Sequence, residues 1–423
     1  MSRVLVDSGI KWIGSLPSTW SITTVNKIFY RRKEVNDVEN PTVLSLARDG
    51  VKIRDISTNE GQLAESYDNY HKVYKDDLMI NPMDLISGAN CSLSEVEGVI
   101  SPAYINLAKK ENIYPKYYDY FFKYQYWINA MFIHGKGVSF DNRWTMNWET
   151  MSSYKLPFPK YEEQKRIAEY LDKQCKKINE IINDNNHEIE LLEEYKKTLI
   201  TEVITSGLNK NSTFKESQIS WMGKIPSHYE VVTLKRLGTA RNGLSYSPGE
   251  VADNGILVLR SSNIQNNKLS LNDNVYVKKE INECLLLKEN DLLICSRNGS
   301  KNLIGKNILI NKDMEGQTFG AFMCVYRSKY NKYIRYVLNS HIFDYYLANF
   351  LTSTINQLTT SNLYSIKIPF TYNIEEQEKI IKYLDKQCSK LDSVIEYRKQ
   401  IIEKLEEYKK SLIYEYVTGK REV

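Results

Sequence analysis

The chain has 423 residues, 42% of them apolar and 26% charged, which excludes collagen-like and largely disordered architectures. Its 57 basic and 52 acidic residues leave a net charge of +5, which permits a nucleic-acid partner without requiring one. No run approaches the ~20 apolar residues of a bilayer span, the first residues lack a signal-peptide core, and the six cysteines form no CxxC pair, so a reduced cytoplasmic protein of two to four domains is expected.

The first marked element is Trp12-Ile13-Gly14-Ser15-Leu16-Pro17-Ser18. Residues 42–46 and 77–80 read as strands, the second followed by a turn at Asn81-Pro82-Met83-Asp84. Residues 117–131 read as a helix whose Tyr117, Tyr120, Phe121 and Tyr124 suit a core better than a base-stacking platform. A glycine-rich, polar and basic loop spans 134–144, and Lys155-Leu156-Pro157-Phe158 reads as a strand. A long helix then runs over 162–205, with Pro157 and Pro159 ahead of it and Glu162 and Glu163 at the positive end of its dipole.

The same order then returns. Trp221-Met222-Gly223-Lys224-Ile225-Pro226-Ser227 repeats the first motif, Asp291-Leu292-Leu293-Ile294 the strand, and Lys367-Ile368-Pro369-Phe370 the junction. Residues 255–259 read as a further strand and 333–350 as the second aromatic helix. Tyr170-Leu171-Asp172-Lys173-Gln174-Cys175 recurs as Tyr383-Leu384-Asp385-Lys386-Gln387-Cys388 at a constant offset of 213. The helices match closely, whereas the regions before them share only short islands. Similar parts are expected to do one job twice, and dissimilar parts on a common scaffold to recognise two different things.

Leu171, Cys175, Ile178, Ile182, Asn185, Ile189, Leu192, Lys196, Leu199 and Val203 fall on alternating steps of four and three, a heptad seam. The second copy has Leu384, Cys388, Leu391, Ile395, Arg398, Ile402, Leu405, Lys409, Leu412 and Tyr416. Neither helix buries such a stripe alone, so the two are expected to pair, antiparallel, with Asn185 and Arg398 as a polar register-setting layer. Cys175 and Cys388 read as small seam residues, Tyr195 and Tyr408 as packing residues beside the seam, and Asn373 with Glu376 as a capping box.

The doubled W-x-G-x-[LI]-P-S, P-F…E-E-Q and Y-L-D-K-Q-C pattern resembles the specificity (S) subunit of type I restriction-modification enzymes along essentially the whole chain. The resemblance implies an α+β protein: two α/β target recognition domains in pseudo-two-fold tandem, joined by a long antiparallel two-helix coiled coil. The first recognition domain would be 1–160, its coil helix 161–207, the second domain 208–372 and its helix 373–423. Each domain would bind half of a split site on double-stranded DNA. The chain would dock two modification (adenine methyltransferase) subunits and, through them, the restriction (motor-nuclease) subunits. It would carry no cofactor itself: S-adenosylmethionine would belong to the methyltransferase, ATP and magnesium to the restriction subunit. The alternative is a coiled-coil protein-interaction scaffold without DNA specificity.

Phosphate contacts come from Lys and Arg, and base contacts from Arg, Asn, Gln and Ser on exposed loops. On this ground the first domain offers Arg48, Arg54, Asn90, Lys136, Asn142 and Arg143. The second offers Arg260, Asn263, Arg297, Asn298, Lys301, Gln357, Thr360 and Asn362. The run Arg31-Arg32-Lys33 reads as solvated or phosphate-facing. No catalytic site is expected. Asn81-Pro82-Met83-Asp84 lacks the aromatic that stacks a flipped base, and residues 299–307 miss the phosphate-loop spacing. Glu194-Tyr195-Lys196 and Glu407-Tyr408-Lys409 match a nuclease string only on the coil helices, and the five histidines have no metal-ligand spacing.

Overall fold

Each repeated aspartate is followed by a short apolar strand, and each such strand becomes the centre of a sheet. The computed structural model describes residues 3–57, 64–83, 85, 90–110, 112–136, 145–265, 268–351 and 356–423. Leu78–Ile80 lies antiparallel between Ile105–Lys109 and Cys91–Leu93, with Phe29–Arg31 at the edge. Leu292–Cys295 lies the same way between Met323–Arg327 and Asn307–Leu309, with Thr239–Asn242 at the edge. Alternation along the strand sends Leu78 and Ile80 into the main core and Met79 into a smaller cluster with Leu44, Leu46, Val73 and Ile100. In the second half Leu292 and Ile294 face the main core while Leu293 faces Leu257, Leu259 and Val325.

The sequence islands shared by both halves build this scaffold. The W-x-G motif closes a hairpin of Leu5–Asp7 with Ser15–Pro17, and of Phe214–Glu216 with Lys224–Pro226. Lys155–Phe158 pairs with Ser21–Thr24, and Lys367–Phe370 with Glu230–Thr233. The first aromatic helix is Pro115–Trp127, with Tyr117, Tyr118, Phe121 and Phe122 fully buried. The second is not one helix over 333–350 but two, Asn331–Val337 and His341–Phe350. Between them Asn339 Nδ2 donates to Asn307 Oδ1 at 3.0 Å and Ser340 Oγ to the Val337 carbonyl at 2.7 Å. Short polar side chains here offer the backbone an alternative to continued helix.

The long helices are Tyr161–Ser206 and Ile374–Val417. Every seam position named above is buried or half-buried. The chain divides into two compact units, one of residues 1–185 with 399–423 and one of residues 186–398. Each unit therefore holds the beginning of one long helix and the end of the other. In the first unit Tyr170 meets Tyr416 with ring centres 4.6 Å apart, and Lys409 Nζ donates to Asn179 Oδ1 at 2.8 Å, an antiparallel pairing. In the second, Arg398 pairs with Glu188 at 2.8 Å and Lys196 with Asp392 at 2.6 Å, again antiparallel. Lys196 and Lys409 thus repeat one cross-helix contact. Asn185 is buried and donates to the Ile181 carbonyl of its own helix at 2.7 Å.

The E-E-Q junction locks each helix to its domain. Gln164 donates to the Pro159 carbonyl and accepts from Tyr114 N, both at 2.8 Å; Gln377 donates to the Thr371 carbonyl at 2.6 Å. Glu163 accepts from Trp20 Nε1 at 2.9 Å and pairs with Arg3. Asn373 caps Glu376 N at 3.2 Å, but the Glu376 carboxylate turns to His228, Tyr229 and Thr371 rather than closing a reciprocal box. Tyr195 and Tyr408 are more than half exposed, so they are surface residues and not packing residues. Cys175 and Cys388 are buried in the seam, and burial raises both thiols, Cys388 to about 11.

Candidate nucleic-acid interface

Most of the described residues expected to face DNA sit on turns beside the scaffold strands. In the first unit Arg48 is exposed on the turn joining Leu44–Ala47 to Gly50–Ile53. Arg54 follows that hairpin, half-buried, with its backbone N donating to the Val43 carbonyl at 2.8 Å. Lys136 is exposed and pairs through its backbone with Thr145, bracketing the glycine-rich loop. Asn142 and Arg143 lie outside the described residues. Asn90 is buried, its carbonyl accepting from Asn81 N at 2.8 Å.

Arg32 departs from the solvated role expected for its basic run. Its guanidinium grips the buried Asp77 carboxylate at 2.9 and 3.3 Å. Arg31 lies over the Trp148 ring at 5.9 Å. Burial, and then the cations Arg31 and Lys33, hold His71 below its usual value. Arg31 and Lys33 therefore supply the positive charge here, and the depressed His71 does not add to it.

In the second unit the structure gathers three segments. The loop after Leu292–Cys295 carries Arg297 and Asn298; Ser296 and Arg297 both donate backbone N–H groups to the Phe322 carbonyl, at 2.9 and 3.1 Å. Arg297 and Gln357 form an antiparallel bridge, and Leu358 N donates to the Ser296 carbonyl at 2.8 Å. Asn298 Nδ2 donates to Ser261 Oγ at 3.3 Å, bringing the turn with Arg260 alongside. Arg260 pairs with Asp273 at 2.8 Å. Lys301 is exposed. Thr360 and Asn362 are half-buried in the helix Thr360–Ser365, where Asn362 N donates to the Thr359 cap at 3.1 Å.

Asn263 is a correction. It is fully buried, accepts from Arg260 N at 2.9 Å, and donates to the Ser270 and Asp273 carbonyls at 3.0 and 3.1 Å. Its amide is spent on holding the loop and presents no edge to a base.

Two features escaped the sequence reading. The strand-end loop is clipped identically in both halves: Met146 N donates to the Pro82 carbonyl at 2.9 Å, as Leu358 N does to that of Ser296. The other is Phe322, 59% exposed, with Arg297 over its ring at 5.3 Å. The available signal was an aromatic in the short Gly320-Ala321-Phe322 turn, outside any alternating run.

Exposed Arg and Lys beside half-buried Asn and Gln on adjoining turns offer mobile cations and fixed donors, the chemistry of phosphates and base edges. Among the described residues no three His, Cys, Asp or Glu side chains cluster so as to hold a metal ion. The E-x-K strings are engaged in the fold, Lys196 with Asp392 and Glu194 with His341. No described helix is long and apolar enough to cross a membrane.

Two α+β units, each a recognition-type domain fused to paired helix segments, define a class of modular specificity proteins. The chain belongs to the type I restriction modification DNA specificity domain family, whose model matches residues 96–191 and 226–407. It is 26% identical over 367 residues to the type I restriction enzyme MjaVIII specificity subunit of Methanocaldococcus jannaschii, covering 82% of this chain and 81% of that one. It is 22% identical to the EcoBI specificity subunit of Escherichia coli, over 93% of this chain and 84% of the relative. A solved chain, from work on complex assembly and conformational transition of the type I restriction-modification system, superposes with a TM-score of 0.66. That match has 12% identity over 96% of this chain and 99% of the other, and speaks to the fold.

Proposed function

We propose that this chain is the DNA-reading, non-catalytic subunit of a type I restriction-modification complex. Each unit reads one half of a split site and docks one adenine methyltransferase subunit, which brings its own S-adenosylmethionine. The restriction subunits, with ATP and magnesium, join through those partners in the cytoplasm. The observation that carries this reading is the contrast within the repeat. The scaffold contacts recur residue for residue, such as Lys196 with Asp392 and Lys409 with Asn179. The loop tips differ, with Arg297 at the place where the first half has Met83. One scaffold with two sets of donors suits one partner bound twice and two different base sequences.

The test is co-expression with the methyltransferase of the same system and genome-wide mapping of N6-methyladenine. A split motif that requires this chain is the expected outcome. Exchange of residues 1–160 for another first domain changes one half-site only. Methylation without the chain, or a change in both half-sites, defeats the reading.

A further inference from the structure

The turn that carries Phe322 is built to hold an apolar side chain in water. Met323 N closes the turn onto the Gly320 carbonyl at 2.8 Å. The Phe322 carbonyl accepts from Ser296 N, Arg297 N and Ser296 Oγ, the last also at 2.9 Å. Gly243 packs against the turn so closely that a Cβ there would lie 2.3 Å from the Gly320 carbonyl oxygen. Backbone movement is thus restrained on two sides, while the ring stays 59% exposed. Full burial of a Phe side chain is favourable, and this conformation largely forgoes it.

The surroundings are cationic and polar. Arg297 lies over the ring, and neither Arg297 nor Lys301 has an ion-pair partner among the described residues. Asn298 and Gln357 adjoin Arg297 through the contacts given above. A protein-docking patch would be expected to extend the apolar area, whereas here one ring stands among donors. The equivalent turn of the first unit, Ser101 to Tyr104, closes the same way at 3.1 Å but carries Ala103 in place of the phenylalanine. The scaffold is shared and the tip is not, as expected of an element that distinguishes two half-sites.

We propose that Phe322 and Arg297 form a two-residue reader of the second half-site. Phe322 makes the apolar contact to the methyl group of a thymine in the major groove, and Arg297 donates to the edge of the neighbouring base. A ring on a backbone held from two sides, with a guanidinium over its face, offers both contacts at a reduced ordering cost. This rests on the DNA-reading function proposed above.

The experiment uses the chain in complex with its methyltransferase partner. The wild-type complex is mapped first, to obtain the split motif. Binding is then measured on a duplex of that motif and on duplexes with uracil replacing each second-half thymine, which removes only the methyl group. One such duplex is expected to bind the wild type about tenfold more weakly. Phe322→Ala is expected to lose that difference and to relax one base pair of the second half-site, leaving the first half-site intact. Phe322→Leu retains part of the discrimination, and Arg297→Met relaxes the adjacent position. A wild type without any split motif would sink the bipartite reading itself. A clear wild-type motif, with no response to any uracil and no change in Phe322→Ala, overturns the Phe322 assignment alone. Loss of methyltransferase binding by Phe322→Ala, with DNA preference retained, also overturns it and makes the turn a protein contact.

Discussion

Tyr120 donates its phenolic hydrogen to Asp172 Oδ1 at 2.6 Å, and Tyr336 makes the same bond to Asp385 in the other unit. The aspartate of each Y-L-D-K-Q-C motif is thereby tied to the aromatic helix of its own domain. Burial, then the neighbouring Cys175 and Asp172, push the Tyr120 phenol far above its ordinary value. The folded value lies above the unfolded one near 10, so this stabilisation is complete below about pH 10 and is lost as pH rises beyond it. Tyr120→Phe is expected to cost about 1–2 kcal/mol at neutral pH, measured by urea denaturation. The same substitution flattens the alkaline limb of the stability curve; a variant with the wild-type alkaline limb would contradict the assignment.

The buried repeated aspartates are neutralised from different strands. Asp77 is held by Arg32, just after Phe29–Arg31, and Asp291 by Arg327, in Met323–Arg327, at 2.8 and 2.6 Å. Removing one partner of such a pair leaves a carboxylate buried, at about 3–5 kcal/mol. Arg327→Met is expected to lower the denaturation midpoint strongly, and Asp291→Asn in the same chain to restore much of it. Additive losses in the double variant would show that the two residues act separately.

Gly207 and Gly419 end the two long helices at φ +68° and +69°. A Cβ on Gly419 would lie 2.5 Å from Pro17 and 2.9 Å from Trp20, whereas on Gly207 it would meet Tyr229 Oη at 3.1 Å. Both alanine variants incur about 1–2 kcal/mol for the left-handed backbone. Gly419→Ala adds about 1–3 kcal/mol of overlap with the rigid proline. Calorimetry of the two variants is expected to rank Gly419→Ala as the less stable.

Glu250 is held down to about 2, first by the backbone N–H of Ser247, then by Lys279 and the Ser247 hydroxyl. Its folded value is below the ordinary 4.5, so its contribution is present above that pH and is lost as pH falls toward 2. An NMR titration of the Glu250 carboxyl is expected to show this low midpoint, and Lys279→Ala to move it upward. An ordinary midpoint in the wild type would remove the capping arrangement.

The duplication and the heptad seam follow from the order of residues alone. Both are periodicities, at 213 residues and at alternating four and three, and a period survives without knowledge of which residues meet. The same order placed Arg297, Asn298 and Gln357 on loops that the fold brings together.

Which polar residues remain available to a ligand was settled by the fold. Asn263 and Asn298 look alike in sequence, each an asparagine on a polar loop. Asn263 is consumed by three backbone groups and Arg32 by Asp77, whereas Arg297 keeps an exposed guanidinium. Phe322 became visible for the converse reason, as an apolar ring left in solvent by a turn held from two sides. Side-chain availability depends on hydrogen bonds between segments distant in the chain, and no local pattern encodes those.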